Sequence, residues 1–95
     1  MLERVRMELG RTERTFDPLY LAQIEEAKAA LSRHGVVIGA EDEPKPLIRS
    51  AIVAYVKAAN DFEGKGDKYM EAFNSLACEL SGSTGYTSWE VGGNA

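Results

Sequence analysis

The single histidine and the single cysteine of this 95-residue sequence are the first candidates for chemistry. A nucleophilic pair needs the Cys78 thiol beside the His34 imidazole, with a third group to orient the ring. Cys78 follows Leu76 and Ala77 in an apolar helical stretch. Free cysteine is among the most buried residue types, so we predict a small structural residue. His34 falls at the end of a predicted helix, where a cation interacts favourably with the helix dipole. These residues predict neither a catalytic site nor a metal centre, which needs several converging ligands.

Two further features resemble parts of binding sites, but neither is complete. The acidic run Glu41-Asp42-Glu43 lacks the alternating oxygen ligands and the glycine of a calcium-binding loop. Acidic residues at the amino end of a helix interact favourably with its dipole, so we predict that this run lies at the start of a helix. No glycine is followed by the Lys-Ser or Lys-Thr of a phosphate-binding loop. The sequence therefore predicts that the protein is not an enzyme and binds no cofactor.

Charge and hydropathy narrow the possible partners. The chain carries 11 basic and 15 acidic residues, a formal net charge of −4. Binding to nucleic acid depends on clustered Lys and Arg that neutralise phosphates, and because no such cluster occurs we predict no specific nucleic-acid binding. Apolar runs such as Val36-Val37-Ile38 are too short to cross a membrane, so no membrane association is predicted. The first residues lack the apolar stretch of a signal peptide, and a lone cysteine suits a reducing compartment.

The elements that must position these side chains begin with an arm, residues 1–16. Leu2, Val5 and Leu9 recur at helical spacing and share one face, and Gly10 offers a left-handed stop. A helix of this length is not stable alone in water. We expect the arm to fold back on the rest of the chain, to join a neighbouring molecule or to fray, and we name these three apolar residues as candidate partner contacts.

Residues 17–81, the body, are predicted to form three amphipathic helices. The first opens at Asp17-Pro18, with Asp17 as the cap, and ends at His34-Gly35. The second begins around residues 41–44, with Asp42 as a plausible cap, and the third is capped by Asp67 and closed by Gly82. The apolar stripes of the three helices predict a core of Tyr20, Ile24, Leu31, Ile48, Ile52, Tyr55, Tyr69, Phe73, Leu76 and Leu80.

Residues 82–95, the tail, are rich in glycine and are predicted to be flexible. They nevertheless include Tyr86, Trp89 and Val91, apolar side chains that need a surface to cover them. We predict that these three residues contact a partner; the alternatives are a disordered end or a tail that folds back over its own helices. The predicted fold is therefore all-α, a small three-helix bundle with a short N-terminal helical arm and a flexible Gly-rich C-terminal tail.

A family resemblance follows from the order of the helical segments. The run Ile24–Leu31 (IEEAKAAL) is followed by an acidic turn ending in Asp42-Glu43-Pro44 and by Leu47–Lys57 (LIRSAIVAYVK). After a short turn come Lys68–Leu76 (KYMEAFNSL) and Leu80–Tyr86 (LSGSTGY). This order is similar to that of the small head–tail connector proteins of tailed bacteriophages, also called adaptor or head-completion proteins. The similarity is closest over residues 47–86 and looser over residues 17–86.

The resemblance implies a structural virion protein of a phage or prophage. Connectors form a ring of identical subunits at the head–tail junction and join the portal protein to the tail or to a stopper protein after DNA packaging. The implied location is the virion, after synthesis in the bacterial host cytoplasm, and DNA passes through the channel without specific binding. Net acidity suits such a channel, although ordinary solubility explains it equally well.

The residues also leave a second function open. A small helical regulator or antitoxin-like protein, binding another protein or DNA, has a similar size and helical content. Such a protein is expected to carry a recognition helix with exposed Arg, Lys, Asn or Gln. The second predicted helix has only Lys45, Arg49 and Lys57, and the third has only Lys68 near its start.

Overall fold

The computed structural model describes residues 1–11, 13–38 and 44–82, and the regular elements within these ranges are all helices. The all-α prediction is confirmed for this part of the chain. The α-helices are α1 (Leu2–Glu8), α2 (Asp17–Arg33), α3 (Pro46–Ala59) and α4 (Gly66–Ser81), and a short 3₁₀ turn, Phe62–Gly64, precedes α4. The tail beyond Gly82 and the acidic residues 41–43 lie outside the described residues.

The arm folds back on the rest of the chain through α1. Val5 is 1% exposed and Leu9 is also buried, while Leu2 is partly buried against the same core. The prediction that Val5 and Leu9 contact a partner is therefore wrong, because their side chains are covered by their own chain. Gly10 has a φ of 71°, which confirms the left-handed stop after the helix.

Helix α2 begins at Asp17, as the sequence predicts, but the Asp17 side chain does not cap the helix. The cap position is Phe16, and Asp17 is the first helical residue without a side-chain capping bond. The Asp17 carboxylate instead faces α1, with Oδ1 3.4 Å from Arg6 Nε. At the other end the cap position is His34 and Gly35 has a φ of 85°, as the predicted helix end requires.

Helix α3 begins at Pro46, later than the predicted start around residues 41–44. Its cap position is Lys45, and the predicted cap, Asp42, falls outside the described residues. Pro46 suits the first helical position because the amide hydrogen that it lacks has no partner there. α3 packs against α2 on one side and against α4 on the other. Ala51, 0% exposed, lets the neighbouring helices approach closely.

A tight turn joins α3 to α4 and contains two non-glycine residues with positive φ, Asp61 at 46° and Glu63 at 54°. The carboxylate of Asp61 accepts a hydrogen bond from the Gly66 backbone amide at 2.8 Å. The predicted cap, Asp67, instead lies inside the first turn of α4. The start of α4 is thus stabilised by a residue from the preceding turn.

The core forms around α3, with the buried faces of α2 and α4 packed against it. The predicted core residues that are buried are Tyr20, Ile24, Leu31, Ile48, Ile52, Phe73 and Leu80. Tyr55 and Leu76 are partly buried and pack against the edge of this core, and Tyr69 is half-buried. The Tyr55 and Phe73 rings meet edge to face, with centroids 5.1 Å apart and an interplanar angle of 69°, as expected for aromatic side chains packed between α3 and α4.

Candidate functional site

The two residues that first suggested chemistry are both exposed and belong to different helices. His34 is exposed at the carboxyl end of α2. Cys78 is exposed on α4, so the prediction of a buried cysteine is wrong. The physical reason is helical spacing: Phe73, Ala77 and Leu80 form the buried stripe of α4, and the residue after Ala77 is turned about 100° away from it.

The described residues show no metal-ligand cluster and no transmembrane helix. Among residues 1–11, 13–38 and 44–82, no group of three or more His, Cys, Asp or Glu side chains converges as a metal site requires. Within the same ranges, no helix combines the length and the hydropathy needed to cross a bilayer.

A groove between α1, α3 and α4 is the best candidate for a binding surface. It encloses about 380 Å³, and we call it the α3–α4 groove. α1 contributes Arg4 and Glu8, and α4 contributes Tyr69, Ala72 and Leu76. Its α3 wall consists of Pro46, Arg49, Ser50, Val53, Ala54 and Lys57. The groove therefore combines apolar walls with charged side chains, which is typical of a surface that binds a peptide segment or another protein.

Lys57 links the elements that surround this groove. Its Nζ donates to Glu8 Oε1 at 3.1 Å. The same ammonium lies 5.2 Å from the ring centroid of Phe62 and 5.2 Å from that of Tyr69. The Lys57 side chain is only 15% exposed, so the charge–ring contacts are partly shielded from water. Lys57 thereby fixes one end of the groove by connecting α1, α3, the 3₁₀ turn and α4.

The charges along the groove are predominantly positive. Arg4, Arg49 and Lys57 line it together with one acidic residue, Glu8. Arg49 lies at the end where α3 begins, and its Nη1 donates to the Pro44 carbonyl oxygen at 3.1 Å. Since the whole chain carries a net charge of −4, this local excess of bases is a distinct feature of the surface. It favours a partner segment that carries negative charge and apolar side chains.

Sequence reasoning did not find the groove, because its walls come from distant parts of the chain. Lys57 and Glu8 are 49 positions apart, and no local periodicity relates them. The sequence did place Tyr69 and Leu76 on a helix face, but it assigned both to the core rather than to the wall of a groove. The available signal was that Lys57 interrupts the run of residues 51–59, which is otherwise without charge, near the end of α3.

Apolar side chains are also exposed outside the groove. The large exposed ones are Met7, Phe16, Leu19, Leu21, Val37, Leu47 and Met70. They are distributed over all four helices and the connections between them, and single exposed apolar side chains of this kind are normal on soluble proteins. The predicted partner contacts Tyr86, Trp89 and Val91 lie outside the described residues.

Comparison of the chain with known protein families, with characterised proteins and with solved structures gave no match.

Proposed function

We propose that this chain is a structural protein of the phage head–tail junction, a connector subunit that forms a ring and joins the portal to the tail or to a stopper protein. In this proposal the chain performs no catalysis and needs no cofactor. Residues 17–81 act as a three-helix connector body, and the Gly-rich tail from residue 82 reaches the portal or an adjacent subunit. The protein is then located in the virion.

The observation that carries the proposal is the helical hairpin of α3 and α4. Residues 47–86 are the part of the sequence most similar to connectors, and α3, the tight turn and α4 occupy most of that stretch. Tyr55 lies against Phe73, and Lys57 lies against Tyr69. From Tyr55 to Lys57 along α3, the partner on α4 moves back from Phe73 to Tyr69. The two helices therefore run antiparallel. This arrangement fits the segment order on which the resemblance depends.

The surfaces of the chain are compatible with subunit contacts. The α3–α4 groove offers one surface that a neighbouring subunit can bind. If that neighbour binds it through a different surface, the contact is head to tail, and head-to-tail contacts close into rings when the rotation allows it. The net charge of −4 also suits a channel through which DNA passes without binding.

The proposal is tested with the portal protein encoded near the gene of this chain. A neighbouring portal, capsid or tail gene is the first expectation. Full-length protein mixed with that portal is expected to form a closed ring on its tail-facing end, seen by cryo-electron microscopy. A chain that binds no portal and forms no ring in its presence contradicts the connector function.

A truncated variant tests the role of the tail within the same assay. Deletion of residues 84–95 is expected to leave the helical circular dichroism unchanged and to abolish attachment to the portal or to neighbouring subunits. Attachment of the truncated protein at the wild-type level would show that the tail is not the contact, while leaving the ring itself to the full-length experiment. Specific binding to an operator DNA or to a toxin protein would instead support the regulator or antitoxin-like function.

A further inference from the structure

The chain itself contains a segment whose chemistry suits the α3–α4 groove. The groove presents apolar side chains, among them Val53 and Leu76, beside an excess of basic residues. Residues 83–95 contain Tyr86, Trp89 and Val91, and their only charged residue is Glu90. The tail therefore offers aromatic and aliphatic side chains together with one negative charge, which complements the groove in both respects.

The point of attachment also places the tail close to the groove. The tail continues from Gly82, at the end of α4, and α4 itself forms one wall of the groove. Leu76 lies about 9 Å back along the helix axis from Gly82 and Tyr69 about 20 Å back, from the rise per residue. An extended chain spans about 13 Å from Gly82 to Tyr86 and about 23 Å to Trp89. Because a reversal of the chain takes up about four residues, Trp89 can reach the Leu76 end of the groove but not the Tyr69 end.

We propose that, in the free protein, the α3–α4 groove binds the segment 86–91 of its own chain. The tether favours this occupant, because a segment joined by a few residues has a high effective concentration at a nearby surface. Glycines at positions 82 and 85 permit the reversal that the path requires. Trp89 is then covered by the groove walls, and Glu90 lies among the basic side chains of the groove. The inference concerns the free protein and holds whether or not the chain is a connector.

The only tryptophan of the chain, Trp89, makes a direct test possible with the full-length protein. Its fluorescence is expected to be blue-shifted relative to free tryptophan and protected from acrylamide quenching, at concentrations where size-exclusion chromatography shows a monomer. Ala72→Glu puts a carboxylate on the groove wall. Ala72 is exposed and glutamate has a high helix propensity, so α4 is expected to stay folded. The variant is expected to shift the emission to the red and to raise quenching towards that of free tryptophan. The matched control, Ala29→Glu, changes an exposed residue of α2 outside the groove and is expected to leave both signals unchanged.

A second pair of variants tests the tail without altering the helices. Glu90→Lys places a positive charge against the basic groove and is expected to expose Trp89, whereas Asn94→Lys adds the same charge beyond the docking segment and is expected to leave it covered. Wild-type fluorescence equal to that of free tryptophan overturns the proposal, as does an equal response to each variant and its control. A blue shift that appears only as protein concentration rises overturns it too, because the occupant then comes from a second copy.

Discussion

Asn60 and Gln23 form a polar contact between the carboxyl end of α3 and the buried side of α2. Asn60 Nδ2 donates to Gln23 Oε1 at 2.8 Å, and the same amide group donates to the Val56 carbonyl oxygen at 2.8 Å. Gln23 is 8% exposed, so its side chain needs this partner. The contact fixes the position of α2 relative to α3 more specifically than apolar packing does.

The first prediction is that Gln23 and Asn60 act as a pair. Gln23→Met keeps the length of the side chain but removes the acceptor, and it is expected to lower the free energy of unfolding by about 1 kcal/mol. Asn60→Ala is expected to have a similar effect, and the double variant is expected to lose less than the sum of the two. Urea denaturation of the four proteins measures the coupling. Strict additivity of the two changes contradicts the pairing.

The second prediction concerns the aromatic contact between α3 and α4. Phe73 is 3% exposed, so Phe73→Ala leaves a cavity and is expected to cost about 3–5 kcal/mol, most of the stability of so small a protein. Tyr55→Ala is expected to cost less, because Tyr55 is only partly buried. Tyr55→Phe serves as the control, since it keeps the ring. A cooperative melt of Phe73→Ala within a few degrees of the parent protein would show that Phe73 does not support the core.

Helix faces were the part of the fold that the sequence predicted well. Ile24, Leu31 and Phe73 recur at spacings set by the geometry of the helix itself, so a local pattern is enough to identify them as buried. In the arm, the same kind of pattern could not show which surface covers the apolar face. Val5 lies on an apolar face whether that face packs on its own chain or on a neighbour, and only the tertiary structure distinguishes the two.

Long-range polar contacts are a part of the structure that the sequence did not predict. Asp17 has the residue type and position of a helix cap, yet Arg6, eleven positions earlier, pairs with its carboxylate. Within the described residues, Arg6 Nε and Asp17 Oδ1 are buried without a hydrogen-bond partner, so charge attraction alone joins them. Gln23 and Asn60 are 37 positions apart. Such pairs are invisible to periodicity, and so is the Lys57–Glu8 pair that lines the α3–α4 groove.

A third prediction tests the turn before α4. Asp61→Ala removes the acceptor of the Gly66 amide and places alanine at a φ of 46°, so it is expected to cost about 1–2 kcal/mol. Asp61→Asn keeps an oxygen acceptor and a residue that tolerates this φ, and it is expected to change stability by less than about 0.5 kcal/mol. Thermal denaturation followed by circular dichroism compares the variants. Equal melting temperatures for all three proteins contradict this role of Asp61.

Gly66 gives a fourth prediction that is linked to the same hydrogen bond. A β-carbon at Gly66 comes within 2.7 Å of Asp61 Oδ1 and within 3.2 Å of the Ala58 carbonyl oxygen. Gly66→Ala is therefore expected to displace the Asp61 carboxylate and to cost about 1 kcal/mol, despite the higher helix propensity of alanine. In the Asp61→Ala background the same change is expected to cost less. A stabilising effect in the wild-type background would show that the turn relaxes freely.

Cys78 gives a prediction that reverses the one made from sequence. Because the side chain is exposed on α4, its thiol is expected to react with a thiol reagent in the native protein, at a stoichiometry of one per chain. Cys78→Ala is expected to keep the parent stability within about 0.5 kcal/mol, as is usual for an exposed position. Labelling of the native protein followed by mass spectrometry checks this. Reaction only after denaturation would show that Cys78 is buried.

The last prediction tests whether the arm belongs to the fold. Val5 is 1% exposed and Met7 is 79% exposed, so the same substitution at two nearby positions of α1 has opposite expected outcomes. Val5→Asp buries a charge or forces α1 away from α2 and α3, and an isolated helix of this length frays. We expect it to lose amide-exchange protection over residues 5–9 and to lower stability by about 2 kcal/mol, with α4 still helical. Met7→Asp is expected to leave the exchange protection and the stability unchanged within the error of measurement. If both variants leave exchange in α1 unchanged, Val5 is not what holds the arm to the body.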